Sequence, residues 1–207
     1  MIQNELPKNN QRPPLISYWL EIILLDSVIY LPGMLVQTPP QADLFDSINY
    51  YITYFVTVIP QIILVLFFIS KYRGLDLKEF GIRIPSFQTV IEAFSFSIMV
   101  FAGVYGLSFL ISLLFPEGMG GPVQGFRWSF SSPALIPFMV ISSLLTGYSE
   151  ELFFRSYLLT YLEKMRISKP AAVLFSSLLF GLGHLYQGII GGLMTFLLGL
   201  TFAAIFL

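Results

Sequence analysis

The 207-residue chain is 56% hydrophobic and only 11% charged, and its formal net charge is −1. Soluble domains carry about a quarter charged residues, so this composition excludes an ordinary water-soluble globule and makes membrane lipid the expected surroundings. The small net charge, without a basic cluster, excludes nucleic acid as a partner, and the absence of cysteine excludes disulfides and thiolate catalysis.

Long uncharged apolar intervals predict membrane-spanning helices, because a helix needs about 20 such residues to cross the hydrocarbon layer. Residues 1–14 are polar, and the apolar segment that follows is long and has no small-residue cleavage site, so we expect a retained first helix and not a removed signal peptide. The predicted spans are built on residues 15–36, which include Glu21 and Asp26, and on the uncharged intervals 47–70, 93–116, 128–149 and 170–207, the last one divided at residues 186–188. We place the cytoplasmic end of the fourth helix near Tyr161, so this helix also includes residues 150–155. The sequence thus predicts an all-α, polytopic membrane bundle of about six transmembrane helices.

The distribution of Lys and Arg predicts the orientation, because basic residues in short loops stay on the cytoplasmic side. With the N-terminus inside, the basic residues within 8–12, 71–83 and 164–169 all fall on the cytoplasmic side, and only Arg127 falls outside. Arg155 lies within a span and needs an explanation of its own. We therefore expect a multi-pass protein of the cell membrane with a cytoplasmic N-terminus.

The chain is divided by these patterns into three parts. Residues 1–14 form the polar cytoplasmic N-terminus, and residues 15–133 hold the N-terminal transmembrane helices and their linkers. Residues 134–207 form a C-terminal core, which contains the ionisable residues of greatest interest. Ionisable groups inside a span cost a few kcal/mol each, so they usually face the bundle interior and are often functional.

Three such residues, Glu150, Glu151 and Arg155, lie close together in the fourth predicted membrane helix. Glu151 and Arg155 are four positions apart, so an α-helix places them on one face, where they can form a bidentate ion pair. Glu150 is rotated about 100° from Glu151 and is not neutralised. The cluster is either a structural ion pair that fixes helix packing, or a site in which Arg155 holds Glu151 while Glu150 acts as a base.

His184 is the only histidine, and it lies in the segment 180–184, FGLGH, whose glycines permit a close helix approach. A lone histidine is usually structural, but at 1.5 Å per residue Glu150 and His184 lie ~16 and ~20 Å from the predicted cytoplasmic surface. They can therefore meet inside the bilayer. A carboxylate and a neutral imidazole at one depth can deprotonate a water, or hold a divalent metal that lowers the pKa of a bound water.

Residues 150–155, EELFFR, resemble the E-E-x-x-x-R motif of the CPBP family of intramembrane proteases, and residues 180–184 resemble its F-x-x-x-H motif. This family includes the type II CAAX prenyl endopeptidases and bacterial bacteriocin-processing and immunity proteins. The two motifs occur in the family's order on successive predicted helices, and the similarity covers residues 135–207. The C-terminal core, 134–207, is thus similar to the catalytic core of this family.

The resemblance implies hydrolysis of a peptide bond in a membrane-associated peptide or lipidated protein. Glu150 would be the base toward water and His184 its partner, while Glu151 and Arg155 would support the site. Family members are described both as metalloproteases and as glutamate-dependent enzymes. The resemblance therefore implies either a glutamate-dependent enzyme or a metalloprotease, whose divalent metal, zinc among the candidates, would have Glu150 and His184 as ligands.

The chain departs from the family in its third motif, a histidine followed four residues later by Asn or Asp. It has no second histidine and no Asn after Asn49, and it ends within an apolar run at Leu207, so we expect a core truncated at its C-terminus. One alternative is a non-catalytic membrane scaffold or immunity-type protein that keeps the motifs for packing. Another is a small-solute transporter, which needs polar groups on several spans, and the segments before Leu135 offer few.

Overall fold

A computed structural model describes residues 14–32, 44–114 and 132–207 of the protein. Within these ranges the chain is helical and contains no strand. We number the main helices α1 (Leu15–Ile29), α2 (Ile48–Phe67), α3 (Phe87–Leu114), α4 (Ile136–Glu150), α5 (Lys169–Leu182) and α6 (Gly188–Phe206). The prediction of an all-α membrane bundle is confirmed.

Two of these helices continue with a different backbone pattern. Helix α2 ends in a π-helical turn, Phe68–Tyr72. Helix α4 runs without a break into a nine-residue π-helix, Glu151–Leu159, and then into a last α-helical segment, Thr160–Lys164. In a π-helix amides bond to the carbonyl five residues earlier. This arrangement is rare in proteins, and where it occurs it is often at a functional site.

Three of the described segments are long and apolar enough to cross a membrane, namely Ile48–Tyr72, Phe87–Val104 and Leu185–Phe206. Helix α5 is apolar but has only 14 residues. The predicted division of the last apolar interval lies at a 3-10 turn, Leu185–Gln187. It is followed by Gly188 at φ +86°, a conformation that glycine adopts without steric cost. The predicted N-terminus lies outside the described residues except for Pro14.

The linker between α2 and α3 is folded onto the helical segment Thr160–Lys164. Asp76 begins a short 3-10 turn, Leu77–Phe80, by accepting a hydrogen bond from the Lys78 amide at 3.0 Å. Phe80 is fully buried, with its ring centroid 5.7 Å from that of Tyr161. The adjacent Glu79 forms a 2.7 Å ion pair with Lys164. The basic linker and the end of the 136–164 helix therefore lie at the same end of the bundle.

The π-helix forms the centre of the packed core. Its buried side chains are Leu152, Phe153, Phe154, Arg155, Tyr157, Leu158 and Leu159. Phe154 packs edge to face on Phe180 of α5, with ring centroids 5.0 Å apart. Ser176 of α5 donates a hydrogen bond of 3.0 Å to the Phe154 carbonyl, which ties the two helices together. This packing fixes the segment that immediately follows Glu150.

A buried ion pair attaches α1 to the rest of the bundle. Glu21 is 6% exposed and pairs with Arg73, which follows the π-helical turn of α2. Arg73 also donates to Ser17 Oγ at 2.7 Å, and the Tyr157 hydroxyl donates to Glu21 Oε2 at 3.4 Å. One carboxylate thus joins α1, the end of α2 and the π-helix, and this group of four residues is called the Glu21 cluster below.

Helix α3 lies at the periphery, and none of its residues Phe87–Val104 is buried. It faces α6 across a groove lined by Val100, Gly103, Val104 and Leu107 on one side and by Met194 and Leu198 on the other. The apolar side chains that α3 presents outward suit lipid tails and not water. Helix α3 therefore adds no described residue to the site below.

Candidate active site

Glu150 and His184 come together between the end of α4 and the end of α5. His184 Nε2 lies 3.6 Å from Glu150 Oε1, and the two side chains are 18% and 23% exposed. This separation is slightly too long for a direct hydrogen bond. The meeting of these residues, which the sequence suggested from their depths, is present in the structure, while their chemical roles stay predictions.

The imidazole of His184 is oriented by the backbone of α5. Its Nδ1 lies 2.8 Å from the carbonyl oxygen of Phe180, four residues earlier. Because a carbonyl only accepts, Nδ1 carries the proton in this contact and Nε2 is left to face Glu150. The Phe180 ring supports the imidazole edge to face, at 4.8 Å between centroids. The F-x-x-x-H spacing thus places the histidine over the carbonyl that holds it.

Helix α6 packs very closely behind this histidine, at glycines. A Cβ added to Gly181 would lie 2.8 Å from Phe196 Cβ and 2.9 Å from the Gly192 carbonyl oxygen. Both distances are shorter than real Cβ contacts, and one of the obstacles is backbone that cannot rotate away. The contact therefore requires glycine at 181 and sets the position of the α5 end that carries His184.

We predict that Gly181→Ala lowers the free energy of unfolding by about 1–3 kcal/mol, because the added methyl overpacks the contact between α5 and α6. Unfolding in detergent with increasing denaturant measures this. Gly147→Ala is the matched control, since its added Cβ meets nothing within 4 Å and alanine gains about 1 kcal/mol of helix propensity. Equal stability of Gly181→Ala and the unmodified protein would contradict the packing argument.

Arg155 is buried among aromatic rings and not in a bidentate pair. It is 2% exposed, and its Nη1 lies 3.4 Å from Oε1 of the half-exposed Glu151. Its guanidinium carbon lies 4.4 Å from the ring centroid of Phe180 and 5.5 Å from that of Phe202. No described residue makes a hydrogen bond with its nitrogens. Arg155 therefore holds α4 to α5 and α6 mainly through cation–π contacts.

The π-helix explains this difference from the bidentate pair that the sequence suggested. Positions four apart lie on one face of an α-helix, where their side chains meet. Glu151 and Arg155 belong to the π-helix, whose wider turn changes the angle between these two side chains. The ion pair between Glu151 and Arg155 consists of one long contact of 3.4 Å. The guanidinium of Arg155 packs instead against the ring of Phe180, four residues before His184.

Two cavities adjoin Glu150. The first, of about 160 Å³, is lined by Glu150, His184, Tyr30, Tyr186 and the apolar side chains of Ile29, Phe154 and Phe180. We call it the His184 cavity. The second, of about 170 Å³, is lined by Tyr30, Tyr54, Thr57, Val58, Gln61, Thr146 and Glu150. We call it the hydroxyl cavity. Glu150 and Tyr30 line both cavities, so they lie at the boundary between the two.

The part of the chain that contains Glu150 and His184 is similar to a known protein family. Residues 132–207 match the Rce1-like family of type II CAAX prenyl endopeptidases. No curated protein and no solved structure matches the chain. The match confirms the resemblance to CPBP proteases and includes both motifs. Glu150 and His184 thus lie in a region that is similar to this endopeptidase family, here called the Rce1-like region.

Several cavity residues lie outside the Rce1-like region and were not found from the sequence. They are Tyr30, next to α1, and Tyr54, Thr57 and Gln61 of α2. The α2 residues follow the i, i+3, i+7 spacing of one helix face. In an otherwise apolar span this spacing could have indicated a polar face directed into the bundle. Tyr54 shares a 2.5 Å hydrogen bond with the Thr146 hydroxyl of α4. Tyr30 gave no such signal, because it is a single tyrosine near a helix end.

The donor set in the described part of the chain does not complete a zinc site. No group of three or more His, Cys, Asp and Glu residues that could hold a metal occurs within 14–32, 44–114 and 132–207. Glu150 and His184 supply two donors of the Rce1-like region, and Glu151 lies against Arg155 instead. Catalytic zinc takes three protein ligands. Metal binding by Glu150 and His184 stays a prediction, and no step below depends on it.

Proposed function

We propose that this protein is an intramembrane endopeptidase that hydrolyses a peptide bond of a membrane-associated peptide or lipidated protein. The observation that carries this proposal is the 3.6 Å approach of Glu150 and His184 beside a largely apolar cavity. The family match supports peptidase chemistry for the region in which both residues lie. In this proposal membrane lipid surrounds the helical bundle, and the substrate enters the site from the lipid.

Glu150 and His184 would activate the attacking water together. One water molecule can hydrogen-bond to both Glu150 Oε1 and His184 Nε2, whose 3.6 Å separation is suited to a bridged contact. The Glu150 carboxylate takes a proton from this water while its oxygen attacks the carbonyl carbon of the substrate. His184 keeps the water in place, because its other nitrogen is held by the Phe180 carbonyl.

The same carboxyl group would complete the reaction. After the attack, the protonated Glu150 gives its proton to the amide nitrogen of the substrate. The carbon–nitrogen bond then breaks, and the products are a carboxylic acid that contains the water oxygen and a free amine. Glu150 is thereby returned to its carboxylate form, so no group of the protein is consumed.

The shape of the His184 cavity suggests what is cut. Ile29, Phe154 and Phe180 give it an apolar wall beside the two polar groups. An apolar side chain next to the cleaved bond would bury its surface there, at about 25 cal/mol per Å². We propose a substrate segment with a large apolar residue at this position.

We also propose a multi-pass arrangement in the cell membrane with a cytoplasmic N-terminus. The Lys164–Glu79 ion pair supports it, because it joins the basic linker after α2 to the basic end of the 136–164 helix. Basic residues of two loops thus share one end of the bundle, as the cytoplasmic side requires. The substrate would then approach from the cytoplasmic leaflet.

Hydrolysis of synthetic peptides in liposomes tests the proposed function. The protein is incubated in H₂¹⁸O with membrane-bound peptides, one set farnesylated and one not, and the products are identified by mass spectrometry. We expect cleavage with one ¹⁸O atom in the new carboxyl group. Absence of cleavage by protein that unfolds cooperatively would contradict the endopeptidase proposal and favour a non-catalytic scaffold. Comparison of the two peptide sets shows whether a lipid group is required.

A further inference from the structure

Tyr30 is held at the boundary of the two cavities by the residues that follow Glu150. It lies one position beyond the end of α1. Its ring centroid is 5.0 Å from that of Phe153 and 4.8 Å from that of Phe154, both buried in the π-helix. Two aromatic contacts fix the direction of the ring. The phenol therefore keeps a constant position relative to Glu150.

The hydroxyl of Tyr30 has only a weak partner among the described residues. It donates to the backbone carbonyl of Ser149 at 3.4 Å, whereas hydroxyl-to-oxygen hydrogen bonds are usually about 2.5–3.0 Å long. Ser149 directly precedes the proposed base. The O–H group thus lies near Glu150. It would give up only a weak hydrogen bond if it turned to a better acceptor.

Peptide hydrolysis creates such an acceptor. Attack by water places a negative charge on the carbonyl oxygen, and a donor aimed at that oxygen lowers the barrier. Glu150 and His184 are already engaged with the water in the proposed mechanism. Among the described residues of the His184 cavity, Tyr30 and Tyr186 carry phenol donors. Tyr186 is 40% exposed, and its hydroxyl oxygen accepts from Gln187 Nε2 at 3.0 Å while its O–H stays free to donate. We favour Tyr30 because its ring is held by the buried rings of Phe153 and Phe154.

We propose that the Tyr30 hydroxyl donates a hydrogen bond to the carbonyl oxygen of the cleaved bond and stabilises its negative charge in the transition state. This proposal rests on the proposed endopeptidase function. It makes α1, which lies outside the Rce1-like region, part of the catalytic unit. It also gives the Glu21 cluster a purpose, because that cluster attaches the helix preceding Tyr30 to the π-helix.

Tyr30→Phe tests the proposal, since it removes the donor and keeps the ring that packs on Phe153 and Phe154. We expect kcat for peptide cleavage in liposomes to fall about 10²–10³-fold, as for the loss of one oxyanion donor, with KM changed by less than about twofold. Tyr18→Phe is the matched control, because it removes the same group from the opposite end of α1. We expect Tyr18→Phe to cleave at the unmodified rate.

A second measurement does not depend on turnover. A peptide analogue with a tetrahedral phosphinate in place of the cleaved amide carries an oxygen anion at the position of the developing charge. We expect Tyr30→Phe to weaken binding of this analogue about 10²-fold or more while binding of the parent peptide is unchanged. An equal affinity of both proteins for the phosphinate would overturn the proposal.

The two proposals fail in different ways. If Tyr30→Phe cleaves normally while Glu150→Gln does not, the role of Tyr30 is refuted and the endopeptidase function stands. A loss in Tyr186→Phe without a loss in Tyr30→Phe assigns the donor to Tyr186 and also refutes the inference. If the unmodified protein neither cleaves peptides nor binds the phosphinate, the proposed function and the role of Tyr30 are both refuted.

Discussion

Replacing Glu150 with Gln is expected to lower the rate of peptide cleavage by about 10³-fold, within the 10²–10⁴-fold range of general-base catalysis. The amide has nearly the shape of the carboxylate but takes no proton from water. It also cannot protonate the leaving amine, so both proposed proton transfers are lost. Because Glu150 is partly exposed to its two cavities, the exchange should not unfold the protein.

The rate is measured with the liposome peptide assay under single-turnover conditions. Glu163→Gln is the matched control, because Glu163 is 39% exposed and makes only a 3.7 Å ion pair with Lys169. We expect the control to retain full activity, and both variants to insert and unfold like the unmodified protein. Full activity of Glu150→Gln would exclude Glu150 as the base, even if other residues of the cavity prove essential.

The Glu21–Arg73 pair should give the largest change in stability. Removing one partner leaves the other charge buried without compensation, so Glu21→Gln and Arg73→Met should each cost about 3–5 kcal/mol of unfolding free energy. The two side chains are only 7% and 12% exposed, which limits the ability of solvent to screen the remaining charge. In the double variant no charge is left, so much of the loss should be recovered.

Denaturant unfolding in detergent of the unmodified protein, both single variants and the double variant measures this coupling. The exposed Lys169–Glu163 pair is the control, since exposed ion pairs contribute about 0–1 kcal/mol. We expect strong non-additivity for Glu21 and Arg73 and almost none for the control pair. If the losses of unfolding free energy at Glu21 and Arg73 were additive, the two residues would act separately. The ion pair would then not be what attaches α1 to the bundle.

The sequence was sufficient to predict the architecture and the central pair of the site. Uncharged apolar intervals determine membrane helices because the bilayer leaves the backbone few alternatives. The helix break near Gly188 follows from its backbone conformation. Glu150 and His184 were expected at similar depths because depth depends only on residue count along each helix, and their approach in the structure agrees with that estimate.

Other parts of the site depend on contacts that residue spacing does not contain. Whether residues 151–159 form an α-helix or a π-helix depends on their packing against neighbouring helices, so the geometry of Glu151 and Arg155 was expected incorrectly. Arg73 meets Glu21 across 52 residues of chain. The approach of Tyr30 to Ser149 spans 119 residues. No local periodicity encodes such pairs.

The π-helix Glu151–Leu159 also determines how the protein responds to changes in chain length. A π-helix contains more residues per turn than an α-helix. Deletion of one residue would let the stretch close as an ordinary α-helix with fewer residues per turn. The helix would survive, but the angles between its side chains would change, so the contacts of Arg155 with Phe180 and Phe202 would be lost. The number of residues in this stretch is therefore as much a requirement of the site as their identity.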